Sequence, residues 1–144
     1  MEKVILIVED NADDELLTIR ALKKNKIAND IVVMRDGEQA LDYLFCRGEW
    51  SERDINQLPQ VVLLDLKLPK IDGLEVLEAI RKHSVTAILP VVILTSSSED
   101  EDIVKGYRLG ANSFIRKPVN FADFVDAVGR LGLYWMLLNE CPHR

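Results

Sequence analysis

The chain has 144 residues, 48% of them hydrophobic and 29% charged, which is the make-up of an ordinary soluble globular protein with enough length for one real core. A single domain over residues 1–144 is expected, with no room for a second catalytic or DNA-binding unit. The formal net charge of −6 comes without a basic stripe, so the attraction behind most nucleic-acid binding is missing and no direct nucleic-acid partner is expected.

Val4-Ile5-Leu6-Ile7-Val8 is a continuous, β-branched-rich apolar run, the pattern of a strand buried on both faces of a parallel sheet. It is too short to cross a membrane and ends in Glu9-Asp10, which fits no secretory core, so a cytoplasmic protein with no membrane partner is expected. A helix near residues 13–25, a weaker strand over Ile31–Met34 and a helix near 37–46 follow. The connection from Arg47 to Pro59 is the one long loop, and its Trp50 and mixed charges predict a packed surface flap rather than a linker.

Val61–Leu64 reads as a second central strand. Asp72, with Glu75 three positions on, predicts the N-cap of a helix near 73–83 whose inward stripe is Val76, Leu77 and Ile80. Val91–Leu94 is a third central strand. Ser98 then opens a helix near 99–109, with acids at 99–102, Lys105 and Arg108 in the last turn and Gly110 closing it, an order that suits the helix dipole. Ser113–Ile115 is a peripheral strand, and a last helix near 120–138 follows. On that helix Phe121, Phe124, Val125, Val128 and Trp135 share a face that can cover the sheet, while Asp123, Asp126 and Arg130 lie opposite. Beyond Arg130 the outer face turns apolar at Leu133, Tyr134 and Leu137, within a helical extension over about 131–140. That patch suits a homodimer through the C-terminal helix; core capping by a bent helix end is the alternative.

Five strand-then-helix units predict an α/β, doubly wound, five-stranded parallel sheet of order 2-1-3-4-5 with helices on both faces. In such sheets ligands bind beyond the carboxyl ends of the strands. The residues there are Glu9 and Asp10, then Asp65, Thr95 and Lys117. A lone acid at a strand end is ordinarily a solvated loop residue or a helix cap, but central strands that all deliver polar groups to one edge point to a site. Clustered hard carboxylate oxygens with no histidine or cysteine beside them favour Mg²⁺, which prefers one or two carboxylates together with a phosphate oxygen. Lys117 and a metal can neutralise a transferring phosphoryl group, and Asp65 at the central strand end is the natural nucleophile.

Val8-Glu9-Asp10-Asn11, Leu64-Asp65 with Pro69 and Asp72-Gly73, Leu94-Thr95-Ser96, and Arg116-Lys117-Pro118 together resemble the motif set of response-regulator receiver domains, which are flavodoxin-like, over about residues 3–138. The resemblance implies two-component signalling, with Asp65 accepting a phosphoryl group from a histidine kinase. It also implies Mg²⁺ held by Glu9, Asp10, Asp65 and the Lys67 main-chain carbonyl, phosphoryl contacts from Thr95, Ser96 and Lys117, a switch aromatic at Phe114 and a cis peptide before Pro118. The protein would then be a switch that assists its own phosphorylation and dephosphorylation, not an enzyme acting on a separate substrate.

Some positions depart from commoner receivers. Glu9 stands where Asp is frequent, Lys67 places an ammonium two residues after Asp65, and Phe114 lacks a tyrosine hydroxyl. The Arg47–Pro59 insertion and the Leu133-Tyr134-Trp135 tail look similar to single-domain regulators of phytochrome-type histidine kinases. A haloacid-dehalogenase-like phosphatase would need a second acid where Lys67 stands. A receiver that binds partners without phosphorylation is disfavoured by the intact acids, Thr95 and Lys117, and a nucleotide-binding module by the lack of a Gly-rich loop after the first strand. Cys46 and Cys141 read as packing or surface thiols, and His83 and His143 as exposed polar residues.

Overall fold

The computed structural model describes residues 4–25, 27, 29–95, 100–116, 122, 123, 125–127 and 130. In chain order they form β1 (Val4–Val8), α1 (Ala12–Lys24), β2 (Asp30–Met34), α2 (Gly37–Leu44), a 3-10 turn (Gly48–Trp50), β3 (Val61–Asp65), α3 (Gly73–Lys82), β4 (Val91–Thr95), α4 (Asp100–Arg108) and β5 (Ser113–Arg116). All five strands pair in parallel in the order β2-β1-β3-β4-β5, as the alternation of elements predicts.

Alternation along the strands divides the core in two. Leu6, Val8, Val62, Leu64, Val91 and Ile93 point to one face, where Leu41 and Leu44 of α2 and Val76, Leu77 and Ile80 of α3 cover them. Ile5, Ile7, Val61, Leu63, Val92 and Leu94 point to the other, against Ala21 and Leu22 of α1. Val125 and Ala127, in helical backbone near the C-terminus, pack on this second face, and Asn25 Nδ2 donates to Val125 O at 2.9 Å to join the two segments. Asp123, Asp126 and Arg130 are exposed, in keeping with the expected helix faces, and Asp126 pairs with Arg130 at 2.7 Å. The apolar patch at Leu133, Tyr134 and Leu137 and the rest of the 131–140 extension lie outside the described residues, as do Ser98, Cys141 and His143.

The helix starts have local causes. Asn11 accepts from the N–H groups of Asp13 and Asp14 at 2.9 and 3.0 Å, and Asp72 accepts from Glu75 N at 3.0 Å, so each side chain satisfies amides that have no partner within the helix. The α2 C-terminus differs from expectation. The helix stops at Leu44 rather than 46 because Cys46 takes φ +56°, with Cys46 N–H donating to Tyr43 O and Arg47 N–H to Asp42 O. That is a Schellman closure built on a cysteine where glycine is usual.

The loop after α2 packs as a flap, as expected. Trp50 meets Tyr43 edge to face at 5.0 Å, and Arg53 lies 3.9 Å from the Tyr43 ring centre while donating to Tyr43 O and Gln57 O. His83 is not the exposed residue the sequence suggests. It is half-buried and stacked on Phe45 at 4.8 Å, with Nδ1 accepting from Val85 N–H, because the C-terminal ends of α2 and α3 lie side by side.

Candidate functional site

The β1–β3 register pairs Val8 with Leu64, so Glu9 and Asp65 follow side by side at the same sheet edge. The β1–β2 ladder runs one step past β1, with Glu9 N–H donating to Met34 O at 2.9 Å, which holds Glu9 in line. Asp10 occupies the turn before α1, and Asn11 N–H donates to Glu9 Oε2 at 3.3 Å. One carboxylate oxygen from each of Glu9, Asp10 and Asp65 lies within 4.8 Å of the others. Glu9 and Asp65 are buried and Asp10 is exposed, so the cluster has a closed base and an open rim.

Contacts on both sides help to set Asp65. Lys67 N–H donates to Asp65 Oδ1 at 3.2 Å. Behind the strand end, a Cβ on Gly73 would fall 2.2 Å from Asp65 O and 2.6 Å from Leu66 Cα, while Gly73 N–H donates to Leu66 O at 2.8 Å. The first turn of α3 therefore presses directly on the Asp65 backbone, and only glycine leaves the space. The Asp72-Gly73 motif is thus a cap followed by a contact point.

At about 4.8 Å, two carboxylates repel by roughly 1 kcal/mol in water and about 3.5 at an effective dielectric of 20. A cation with hard-oxygen preference offsets that repulsion, and three carboxylate donors with an open side fit a divalent ion that keeps water or phosphate oxygens in its remaining positions. Among the described residues no histidine or cysteine joins this cluster, which disfavours a soft transition-metal site.

The other expected residues are placed unevenly. Thr95 ends β4 with its backbone paired to Arg116, at the same edge, but its side chain lies outside the described residues, as do Ser96, Lys117 and Pro118 with the expected cis bond. The Lys67 side chain is exposed. Phe114 pairs with Ile93 in the β4–β5 ladder, is half-buried, and lies over Gly106 of α4 with its ring 4.8 Å from Tyr107. A Cβ at Gly106 would meet Phe114 Cζ at 2.3 Å, so the ring uses the space that glycine leaves. Gly37, Asp36 and Lys70, which brace the loop after Asp65, were not singled out from the sequence. Asp36 before Gly37 is a readable helix-start signal, but the approach of that start to the loop is not.

Residues 5–129 match the response regulator receiver domain family. The chain belongs to that family. Receiver domains are phosphoacceptor switches of two-component signalling, and the protein is a response regulator of that kind. Among curated relatives it is 40% identical to the probable methanogenesis regulatory protein FilR2 of Methanothrix harundinacea, over 96% of this chain and 87% of that one. It is 36% identical to response regulator Rcp1 of Synechocystis, over 93% and 89%. Among solved structures, the phosphorylated cyanobacterial phytochrome response regulator RcpA aligns with a TM-score of 0.89 at 34% identity, over 99% of both chains. The bacteriophytochrome response regulator RtBRR aligns at 0.80 and 50% identity, over 99% of this chain and 85% of that one. Rcp1 has also been solved with Mn²⁺ bound; that form aligns at 0.87 and 35% identity, over 97% of this chain and 99% of that one. The flavodoxin-like receiver fold and the kinship with single-domain phytochrome-associated regulators both agree with the motifs.

Proposed function

We propose that this receiver accepts a phosphoryl group on Asp65 from a histidine kinase in a Mg²⁺-dependent reaction and then changes conformation to control a partner. The observation that carries the reading is the convergence of Glu9, Asp10 and Asp65 carboxylate oxygens within 4.8 Å, with Asp65 oriented by the Lys67 N–H. In the transfer, an Asp65 carboxylate oxygen forms a bond to phosphorus as the phosphorus–nitrogen bond of a phosphohistidine breaks, and the imidazole leaves with the electron pair. The ion supplies charge neutralisation at the phosphoryl oxygens. Glu9, Asp10, Asp65 and the Lys67 carbonyl would hold it, Glu9 through water. Lys117, Thr95 and Ser96 would meet the phosphoryl oxygens, with the bond before Pro118 cis and the Phe114 ring following the Thr95 movement. The test is intact-mass analysis after incubation with acetyl phosphate: one added phosphoryl group with Mg²⁺ and none in chelator is expected, and no labelling with Mg²⁺ would overturn the reading.

Phosphorylation adds roughly −1.5 to −2 charges, which switch the protein only through contacts that differ between two states. Thr95→Ala is therefore expected to keep some labelling while losing most of the change in partner affinity or amide exchange that labelling produces. A wild-type response in that variant would remove Thr95 from the switch.

Lys67 is exposed two residues from Asp65, and we propose that its ammonium reaches the rim of the site and restrains the attacking water. Lys67→Asn should change the dephosphorylation rate about five-fold, near 1 kcal/mol, the scale of one charge-assisted contact. An unchanged half-life would leave Lys67 as a solvent-facing side chain.

The kinase partner is proposed to be of the phytochrome type, in keeping with the names of RcpA and RtBRR. Among the described residues no helix is long and apolar enough to cross a membrane. A cytoplasmic, single-domain protein is proposed, and a homodimer through Leu133, Tyr134 and Leu137. Burying these three from each chain at roughly 1.5–3 kcal/mol apiece gives about 9–18 kcal/mol gross, against an association cost of about 4–15. Leu133→Glu with Leu137→Glu is expected to turn a sedimenting dimer into a folded monomer. Self-association equal to wild type would place the interface elsewhere.

A further inference from the structure

The loop between β3 and α3 is tied sideways to α2. Lys70 takes φ +67°, the left-handed region that a residue with a Cβ adopts only under compensation. Its Nζ lies 3.7 Å from Asp36 Oδ2 and 3.9 Å from Glu38 Oε2. Asp36 is buried and caps α2 by accepting from Gln39 N–H at 2.8 Å, so the Lys70 partner is itself anchored. Beside it, Gly37 N–H points to Pro69 O at 3.5 Å, and a Cβ on Gly37 would fall 2.0 Å from Ile71 O. Helix and loop backbones are in contact there. The same loop supplies the Lys67 N–H that orients Asp65.

We propose that the first turn of α2 is a buttress for the β3–α3 loop, latched by Lys70, and that Gly37 and Lys70 are positioning residues for the Asp65 carboxylate. This rests on the divalent-metal reading of the acidic cluster. An exposed lysine pair alone contributes little. Here the pair is also the side-chain tie between the loop and α2. Lys70→Gly removes that tie together with the restriction a Cβ places on φ, so the loop is free to move away from α2 and carry the Lys67 N–H with it. Information at the acidic cluster would reach α2 and the flap by this path, independently of β4 and β5.

The experiment measures Mn²⁺ affinity calorimetrically at low ionic strength, together with amide exchange at Gly37, for the full chain and for Lys70→Gly, Lys70→Arg and Gly37→Ala. Charge alone predicts that removing an ammonium from the loop after Asp65 leaves cation binding equal or tighter. The latch predicts the opposite sign. Lys70→Gly should bind Mn²⁺ more weakly by a factor on the order of three, the scale of a single ion pair, and exchange the Gly37 amide faster. Its melting temperature should not fall, because glycine relieves the positive φ. Lys70→Arg should bind as wild type. Gly37→Ala should weaken binding further; should it fail to fold, the Lys70 variants decide. Equal or tighter Mn²⁺ binding by Lys70→Gly would overturn the latch. If wild type bound no Mn²⁺, the metal reading would fall, and unchanged Gly37 exchange in Lys70→Gly would still overturn the latch by itself.

Discussion

Asp65→Asn is expected to abolish phosphoryl labelling by acetyl phosphate or kinase, a loss of more than about a hundred-fold, while leaving the fold intact. The amide oxygen has no negative charge to drive attack at phosphorus, and no other carboxylate of the cluster sits at the end of the central strand with its oxygen set by the Lys67 N–H. The asparagine Oδ1 can still accept that bond. Removing one of three crowded carboxylates also relieves repulsion of roughly 1 kcal/mol per pair in water, more in the buried part of the cluster. Without divalent ion the variant should therefore melt at or above wild type, and with saturating ion it should gain less than wild type does, because one ligand is lost. Mass analysis and thermal melts with and without Mg²⁺ check both halves. Wild-type labelling of the asparagine variant would move the phosphoacceptor elsewhere.

Arg81→Ala is expected to cost about 2–4 kcal/mol of stability, a loss on the scale of a core truncation from a residue that is not in the core, or roughly 6–12 °C at about 3 °C per kcal/mol. Arg81, in the last turn of α3, donates from Nε and NH2 to Gly110 O at 3.0 and 2.7 Å. NH1 reaches Ala87 O at 3.1 Å and Leu89 O at 2.7 Å, and NH2 also reaches Asn112 Oδ1 at 3.1 Å. Asn112 Oδ1 in turn accepts from Val91 N–H at 2.8 Å. One guanidinium thus gathers the entries to β4 and β5, and removal strands several acceptors at once. Burial pulls its pKa below the usual arginine value, but a guanidinium stays charged at any physiological pH, so the clamp should not titrate. Arg81→Lys should rescue little, since three donors on one nitrogen cannot reproduce a planar fork of five. Because the clamp lies at the sheet edge opposite the acids, Mn²⁺ affinity should be unchanged once the variant is folded. A lysine variant that melts with wild type would show that charge alone suffices.

The contrast between these two residues shows where legibility ends. Asp65 was readable because burial on both faces of a parallel sheet leaves strands as unbroken apolar runs, so the first polar residue after each run marks the ligand-binding edge. Glu9 and Asp10 were found in the same way, and the Asp72 cap from its spacing to Glu75. Arg81 carries no such mark: on sequence it is one of two basic residues in a last helical turn, and its five hydrogen bonds go to four residues between 87 and 112. The early end of α2 was unreadable for a related reason, since the residue in the left-handed position is Cys46 and not a glycine.

By itself, then, the sequence determined the parallel sheet, its strand order, the Asp72 helix start and the acids gathered at the carboxyl edge of the sheet, because all of these follow from local periodicity, cap spacing and right-handed crossovers. Only the tertiary structure decided how tightly the elements press on one another there. Gly73 lies against the Asp65 backbone, Gly37 against Ile71, Gly106 beneath Phe114, and Lys70 between two carboxylates of α2. Those contacts join residues distant in sequence or on different elements, and their existence depends on ångström-scale packing that no single residue's chemistry encodes.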